Sequence, residues 1–211
     1  MDLYEALYTT RAMRRMKPDP VPADVVRCML DAAVRAPSGS NAQNWRWLTV
    51  TDRETMKSLG TLYADAFEIL QNTVYAGVEP ANDQDRRILS SSSWLAEHFA
   101  EVPLVVLAFH RNDPSGASIY PAVWNLMLAA RGRGVGTTLT TILGMFKSDE
   151  LFALLDVPRD KGWTNAAAVT CGYPLGRWGL AARAPARDVV YSERWGSDAS
   201  WEADEPWWQS G

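Results

Sequence analysis

The side chains best able to do chemistry gather in four short stretches, and what they offer is binding of a charged, planar ligand. In TTRAMRRMKPDPVP, residues 9–22, Arg11, Arg14 and Arg15 fall within five positions. Arginine presents a planar fork of donors that matches phosphate oxygens, and its charge does not titrate away. The same cluster on a solvated turn would need no ligand. APSGSNAQNW, residues 36–45, combines small residues that let a ligand approach the backbone with Ser38, Ser40, Asn41 and Gln43 as hydrogen-bonding groups. It also reads simply as a helix-to-strand connection. GRGVGTTLTTILG, residues 132–144, has glycines at 132, 134 and 136. That is neither a dinucleotide fingerprint nor a Walker loop, and the glycines precede a strand where a fingerprint would follow one. Its threonines, Thr137 to Thr141, line a strand end instead. CGYPLGRWGLAARAPARDVVYSERWG, residues 171–196, carries Arg177, Arg183 and Arg187 and could return a cation to the first cluster, or be a surface extension.

No nucleophile elbow, Cys–His spacing or paired-carboxylate constellation accompanies them. An enzyme without acid–base machinery of its own often takes its chemistry from a cofactor. His98 and His110 are twelve apart with no ligand spacing and read as structural or surface residues, so no metal site is expected. Cys28 and Cys171 read as reduced thiols.

Helices and strands must position these stretches. The apolar spacing predicts helices over 2–8, 23–36, 53–75, 84–100, 119–131 and 148–155. Strands are expected over 45–51, 102–109, 135–141 and 165–171. Helices outnumber strands and the connections are mixed, which points to an α+β sheet with helices on both faces. At 211 residues, 47% hydrophobic and 22% charged, the chain can bury one substantial core. The net charge of −4 argues against a nucleic-acid partner. No run reaches the roughly 18 apolar residues of a membrane span, and the first residues lack the apolar stretch of a signal peptide. A cytoplasmic protein is the expectation. Tryptophans at 195, 201, 207 and 208 make the end of the chain too aromatic for a solvated linker, so it reads as an arm that packs on a surface, preferably that of a second subunit.

In order, TTRAMRR…PVP, APSGSNAQNW and GYPLGRWG resemble the nitroreductase family of FMN-dependent oxidoreductases, over nearly the whole chain to the RWG ending at Gly196. The resemblance implies a mixed, mainly antiparallel central sheet flanked by helices. It also implies an intertwined homodimer with an extended C-terminal arm and FMN at the subunit interface. Residues 1–196 would form the FMN-binding domain and 197–211 a Trp-rich tail. The family's phosphate pattern R-R-S-x-R falls on Thr10, Arg11, Ala12, Met13 and Arg14, where Thr10 and Ala12 replace a guanidinium and a hydroxyl. Its P-S-x-x-N-x-Q-P-W loop, which reaches the flavin of the partner subunit, falls on Pro37, Ser38, Gly39, Ser40, Asn41, Ala42, Gln43, Asn44 and Trp45, with Asn44 in place of proline. The strand end along the flavin's reactive edge falls on Leu139, Thr140 and Thr141, and the late phosphate arginine on Arg183.

The activity so implied is electron transfer from NAD(P)H through FMN to a nitroaromatic, a quinone or a similar acceptor, with ping-pong kinetics and Thr141 hydrogen-bonding near flavin N5. The threonines of the strand end are similar to those of the iodotyrosine deiodinase branch, which implies reductive dehalogenation as an alternative. That branch clamps its substrate with Glu, Tyr and Lys of a lid. Residues 60–100 offer Tyr63, Glu68 and Tyr75 but contain no lysine. A flavin-destroying enzyme of cobalamin biosynthesis shares the fold, and no residue here singles it out. A non-catalytic FMN-binding or storage protein is the third reading, since the departures at Thr10 and Ala12 fit a repurposed site.

Overall fold

The apolar run beginning at Leu104 becomes a strand buried on both faces. In the computed structural model, which describes residues 1–199, a four-stranded sheet forms from β1 (Trp45–Val50), β2 (Leu104–His110), β3 (Gly136–Thr140) and β4 (Thr164–Gly172). The strand order is β1-β2-β4-β3 and every neighbouring pair is antiparallel. β2 begins at Leu104, two residues later than the apolar run suggests, because Pro103 has no N–H to give a ladder.

Alternation along β2 divides the core. Leu104, Val106 and Ala108 face α2 (Ala23–Ala33) and α5 (Ile119–Gly132), where Met29, Ala33, Val123 and Leu126 are fully buried. Val105, Leu107 and Phe109 face α3 (Arg53–Thr73), α4 (Asp83–His98), α6 (Ile142–Phe146) and α7 (Ser148–Leu154). A bulge opposite Ala108 and Phe109 shifts the register with β4. An inserted residue reverses which side chains point to which face, so Val169 and Ala166 share a core although three apart. Asn165 spans this irregularity, its amide donating to the carbonyls of Ala108 and Ala167, both at 3.3 Å.

Chain-end chemistry explains several boundaries. The Asp52 carboxylate caps α3 by accepting from Thr55 N–H at 2.9 Å, and this bond holds its carboxyl below the usual aspartate range. Asn82 caps α4 in the same manner through Asp85 N–H. Helix α6 is absent from the periodicity reading. ILGMF is short, apolar and interrupted by Gly144, a poor helix former. Packing decides it: a Cβ on Gly144 would stand 2.4 Å from the Asn165 carbonyl oxygen, so only glycine lets α6 lie against β4. The strand before it therefore stops at Thr140, one residue short of the expected end.

Residues 11–177 form one compact unit. The second is made of residues 1–10 and, among the described residues, 178–199. Within the second, α1 (Leu3–Thr9) is capped by Asp2, and Ala181 N–H donates to Tyr8 carbonyl at 3.0 Å. Tyr191 and Asp198 form a short bridge, with the Tyr191 and Trp195 rings 5.1 Å apart. The tryptophans at 201, 207 and 208 lie outside the described residues.

Candidate functional site

The basic stretch is held along the free edge of β3. Ala12 pairs in parallel with Thr137, Met13 N–H donates to Thr137 carbonyl at 2.9 Å, and the Thr138 hydroxyl donates to Met13 carbonyl at 3.0 Å. Further on, Leu175 N–H donates to Arg15 carbonyl and Lys17 N–H to Tyr173 carbonyl. Pro18, Pro20 and Pro22 keep the following chain from turning helical. Thr138 is buried, so Thr138→Val should leave the Met13 carbonyl without this donor. The expected cost is about 1–2 kcal/mol, seen as a lower urea midpoint at unchanged slope.

Extended chain points successive side chains to opposite sides, and the three arginines accordingly diverge. Arg11 is exposed and donates to Arg177 carbonyl at 2.8 Å. Arg15 is exposed, its guanidinium 5.7 Å from the centre of the Trp94 ring. Arg14 is half-buried and forms no ion pair among the described residues. Desolvation lowers its pKa from the usual arginine value, while the neighbouring Tyr63 opposes that shift. Arg183 belongs to the other unit, exposed, donating to the carbonyl of Ala182.

Arg14 lines a cavity of about 460 Å³ whose walls are Phe67, Leu70, Tyr75, Ile88 and Leu89, with Glu79 and Asp85 also in its lining. Tyr63 lies in the same compact unit, 4% exposed on α3 and stacked on Phe99 with ring centres 4.3 Å apart. Burial pushes the phenol pKa up, and both Thr140 and Arg14 pull against that rise. Of the lid residues considered for a dehalogenase clamp, Tyr63 is therefore a core residue, Glu68 is exposed, and Tyr75 lines the cavity.

Past Thr140, Thr141 begins α6, its hydroxyl 3.4 Å from the Met145 sulfur, while Leu139 is partly exposed. The loop from Pro37 to Asn44 is built differently. Ser40, Asn41 and Gln43 all have φ near +50°, a left-handed backbone that costs roughly 1–2 kcal/mol per non-glycine residue. Local bonds hold it: Gln43 N–H donates to Ser38 Oγ, and Gly39 N–H to Ser118 Oγ, both at 3.2 Å. Backbone strain kept on an exposed loop marks a functional candidate. This loop and residues 110–119 line a second cavity of about 540 Å³, where His110 Nδ1 and Arg111 Nε are buried without a partner among the described residues. No residue lines both cavities.

Tyr63 has no motif around it and was not assigned to the flavin site by sequence. Its apolar helical spacing with Leu59 and Ala66 predicts a core position, and its place in residues 60–100 makes it a candidate for the dehalogenase clamp. No group of three His, Cys, Asp or Glu side chains suited to a metal occurs among the described residues. Cys28 and Cys171 are both free, and burial pushes the Cys171 thiol pKa up.

The model of the nitroreductase family matches residues 7–173. This chain belongs to that family. Among curated nitroreductase-like relatives, a protein named NADH dehydrogenase from Thermus thermophilus is 27% identical over 201 residues, 90% of this chain and 95% of that one. An iodotyrosine deiodinase from Thermotoga neapolitana is 27% identical over 137 residues, 64% and 71% of the two chains. Among solved structures, an oxidized iodotyrosine deiodinase bound to FMN and 3-iodo-L-tyrosine superposes with a TM-score of 0.72. It is 24% identical, and the match covers 92% of this chain and 99% of that one. The mixed α+β, mainly antiparallel sheet described above is that of the family's fold. No helix among the described residues is long and apolar enough to cross a membrane.

Proposed function

We propose that this chain is an FMN-dependent oxidoreductase that passes electrons from NAD(P)H to a small organic acceptor, with FMN held between the subunits of a homodimer. One observation carries the reading. Of the residues matching the family's flavin-binding motifs, Arg14 lines one cavity and Pro37, Ser38, Gly39 and Gln43 line another, while Arg11, Asn41, Leu139, Thr140, Thr141 and Arg183 line neither. A single chain that divides one ligand's contacts in this way suits a site completed by a second copy. Tyr120 and Trp124, four apart on α5, are 41% and 38% exposed, an apolar stripe that also suits a subunit contact.

The side chains present fit the cofactor. Arg14 is a half-buried cation that forms no ion pair among the described residues, the kind of site that favours an anion. We assign Arg11, Ala12, Met13, Arg14 and Arg183 to the phosphate and the adjoining flavin edge. Pro37, Ser38, Gly39, Asn41 and Gln43 reach the second subunit's flavin, and Leu139, Thr140 and Thr141 lie along its reactive side. Residues 1–196 then make the flavin domain and 197–211 a Trp-rich tail, in a cytoplasmic dimer.

FMN held there would supply the hydride and electron transfer between nicotinamide and acceptor. The chain's part is electrostatic: a desolvated guanidinium at Arg14 favours negative charge beside it more than an exposed one would. Thr141 offers a hydroxyl and an N–H as donors. The apolar walls at Phe67, Leu70, Ile88 and Leu89 exclude water and admit aromatic acceptors with little discrimination. Donor and acceptor would take turns in one cleft, which gives ping-pong kinetics.

Colour decides between the readings. The purified protein should be yellow, and NADH or NADPH should bleach it without oxygen. Yellow protein that neither donor bleaches would favour storage, and protein that cannot be reconstituted with FMN would end both readings. Reductive dehalogenation is supported by the threonines at 140 and 141 and by the deiodinase relative. Iodide release from 3-iodo-L-tyrosine would place the chain there. The lack of lysine in residues 60–100 and the burial of Tyr63 count against it.

A further inference from the structure

We propose that Arg15 is a positioning residue: its guanidinium stands on the Trp94 ring and so fixes α4, a helix that walls the cavity beside Arg14. The inference rests on the flavin reading above for what that cavity holds, while the contact itself belongs to the fold.

Helix α4 has little else to hold it. Of its 16 residues only Leu95 is buried, and the run Ser90–Ser93 offers no apolar side chain to a core. Ile88 and Leu89, which wall the cavity, are 47% and 37% exposed. A helix with one buried side chain near its last turn resists local opening poorly at the other end. Trp94 supplies the second hold. His98 stacks on its indole with ring centres 4.1 Å apart and planes 7° from parallel. The His98 Nδ1 lies 2.8 Å from the Trp94 carbonyl, and since a carbonyl only accepts, Nδ1 donates. The indole is thereby set before Arg15 reaches it.

Arg15 reaches it from a firm base. Its backbone carbonyl accepts from Leu175 N–H at 3.0 Å, and Met16 bridges Pro174 just beyond the end of β4. The guanidinium lies 5.7 Å from the centre of the Trp94 ring, within the range of a cation–π contact. It forms no ion pair and no side-chain hydrogen bond among the described residues, so the indole is what orients it there. The neighbouring arginines thus take different roles. Arg14 lines the cavity, and Arg15 grips the helix whose Ile88, Leu89 and Ser92 form part of the cavity wall. Stacking uses the face of a guanidinium and leaves its N–H edge free, so a phosphate contact is the rival account of Arg15.

The test compares Arg15→Gln, Trp94→Leu and the double variant in the full-length protein. Arg15→Gln should speed amide hydrogen exchange over residues 83–92 roughly two- to fivefold, the worth of one partly exposed cation–π contact, and leave β2 unchanged. The double variant should exchange no faster than Trp94→Leu alone, because both changes remove the same contact. In the flavin-loaded protein, with NADH or NADPH as donor, KM for 1,4-benzoquinone should rise by a similar factor at unchanged kcat. FMN affinity, read by fluorescence titration, should not change. Arg15→Lys keeps a charge over the ring and should recover part of the effect. A loss of FMN affinity in Arg15→Gln that Trp94→Leu does not share would assign the guanidinium to the phosphate and overturn the proposal. Unchanged exchange over 83–92 would overturn it equally, and faster exchange at unchanged KM would leave a contact that holds α4 without shaping the cleft. Wild-type protein that takes up no FMN would end the flavin reading, while the exchange measurement still decides whether Arg15 holds α4. Arg15 is exposed, so Arg15→Gln keeps the test open if Trp94→Leu folds poorly.

Discussion

Arg14→Gln should weaken FMN binding by roughly 10- to 100-fold while leaving the fold intact or slightly firmer. A charge-assisted hydrogen bond is worth about 1.5–3 kcal/mol, and each 1.4 kcal/mol is a factor of ten in affinity. Arg14 stands at the upper part of that range because it is half-buried, so water screens it less than it screens Arg11 or Arg183, both exposed. Its guanidinium is already partly desolvated in the free protein, which lowers its pKa and makes an incoming anion more welcome. The same fact predicts the effect on stability. A half-buried cation that forms no ion pair among the described residues is a cost to the empty fold, so removing the charge should not lower the melting temperature. Arg14→Lys should recover only part of the affinity, since an ammonium lacks the planar fork. Arg11→Gln should cost less than Arg14→Gln, because Arg11 is exposed and already donates to Arg177 carbonyl. Fluorescence titration measures all three. Wild-type affinity in Arg14→Gln together with a lower melting temperature would show that the guanidinium holds the protein and not the ligand.

The second large effect belongs to Gly144→Ala. The added Cβ would meet the Asn165 carbonyl oxygen at 2.4 Å and its Oδ1 at 3.2 Å, and the first of these is backbone. The amide of Asn165 is spent on the bulge between β2 and β4, so the carbonyl cannot retreat without opening that irregularity. Overpacking a filled core costs about 1–3 kcal/mol, and the backbone contact here places the cost near 3. For a chain of this size that is a fall of roughly 6–12 °C in melting temperature. Function should suffer more than stability. Thr141 starts the helix that carries Gly144, so lifting α6 off β4 moves Thr141 and Leu139 together. Flavin content per subunit should therefore drop in protein that is still folded. Gly176→Ala is the control, since nothing lies within 4 Å of its added Cβ and its φ is ordinary. Equal melting temperatures and flavin contents for the two variants would refute the account of α6.

Both predictions turn on residues whose motifs or glycines were visible in the sequence but whose geometry was not. Helices α2, α3, α5 and α7 and all four strands were legible because their apolar spacing is regular and each buries a defined face. Proline and glycine marked most of their ends. Helix α6 was not legible: five residues with a central glycine carry too little periodicity, and the glycine is explained only by the Asn165 carbonyl above it. The bulge at Ala108 and Phe109 left no trace either, because an apolar residue on the wrong phase looks like any other in a continuous apolar run.

The candidate site divides in the same way. Arg11, Arg14, Ser38, Gln43 and Thr141 stood out by type and order. Nothing in the chain text said that the arginines separate, with Arg14 alone turned into the cavity beside α3 and α4. Tyr63 reads both as an apolar position of α3 and as a candidate for the dehalogenase clamp, and only its burial and its stacking on Phe99 make it a core residue.

By itself, then, the sequence determined most of the elements, the two-faced core and the family, because these follow from local periodicity and from residue types in a set order. Tertiary structure alone decided which cation is desolvated and which glycine is indispensable. Those depend on contacts between segments dozens of residues apart, and burial, charge and close approach are properties of such contacts rather than of any stretch of chain.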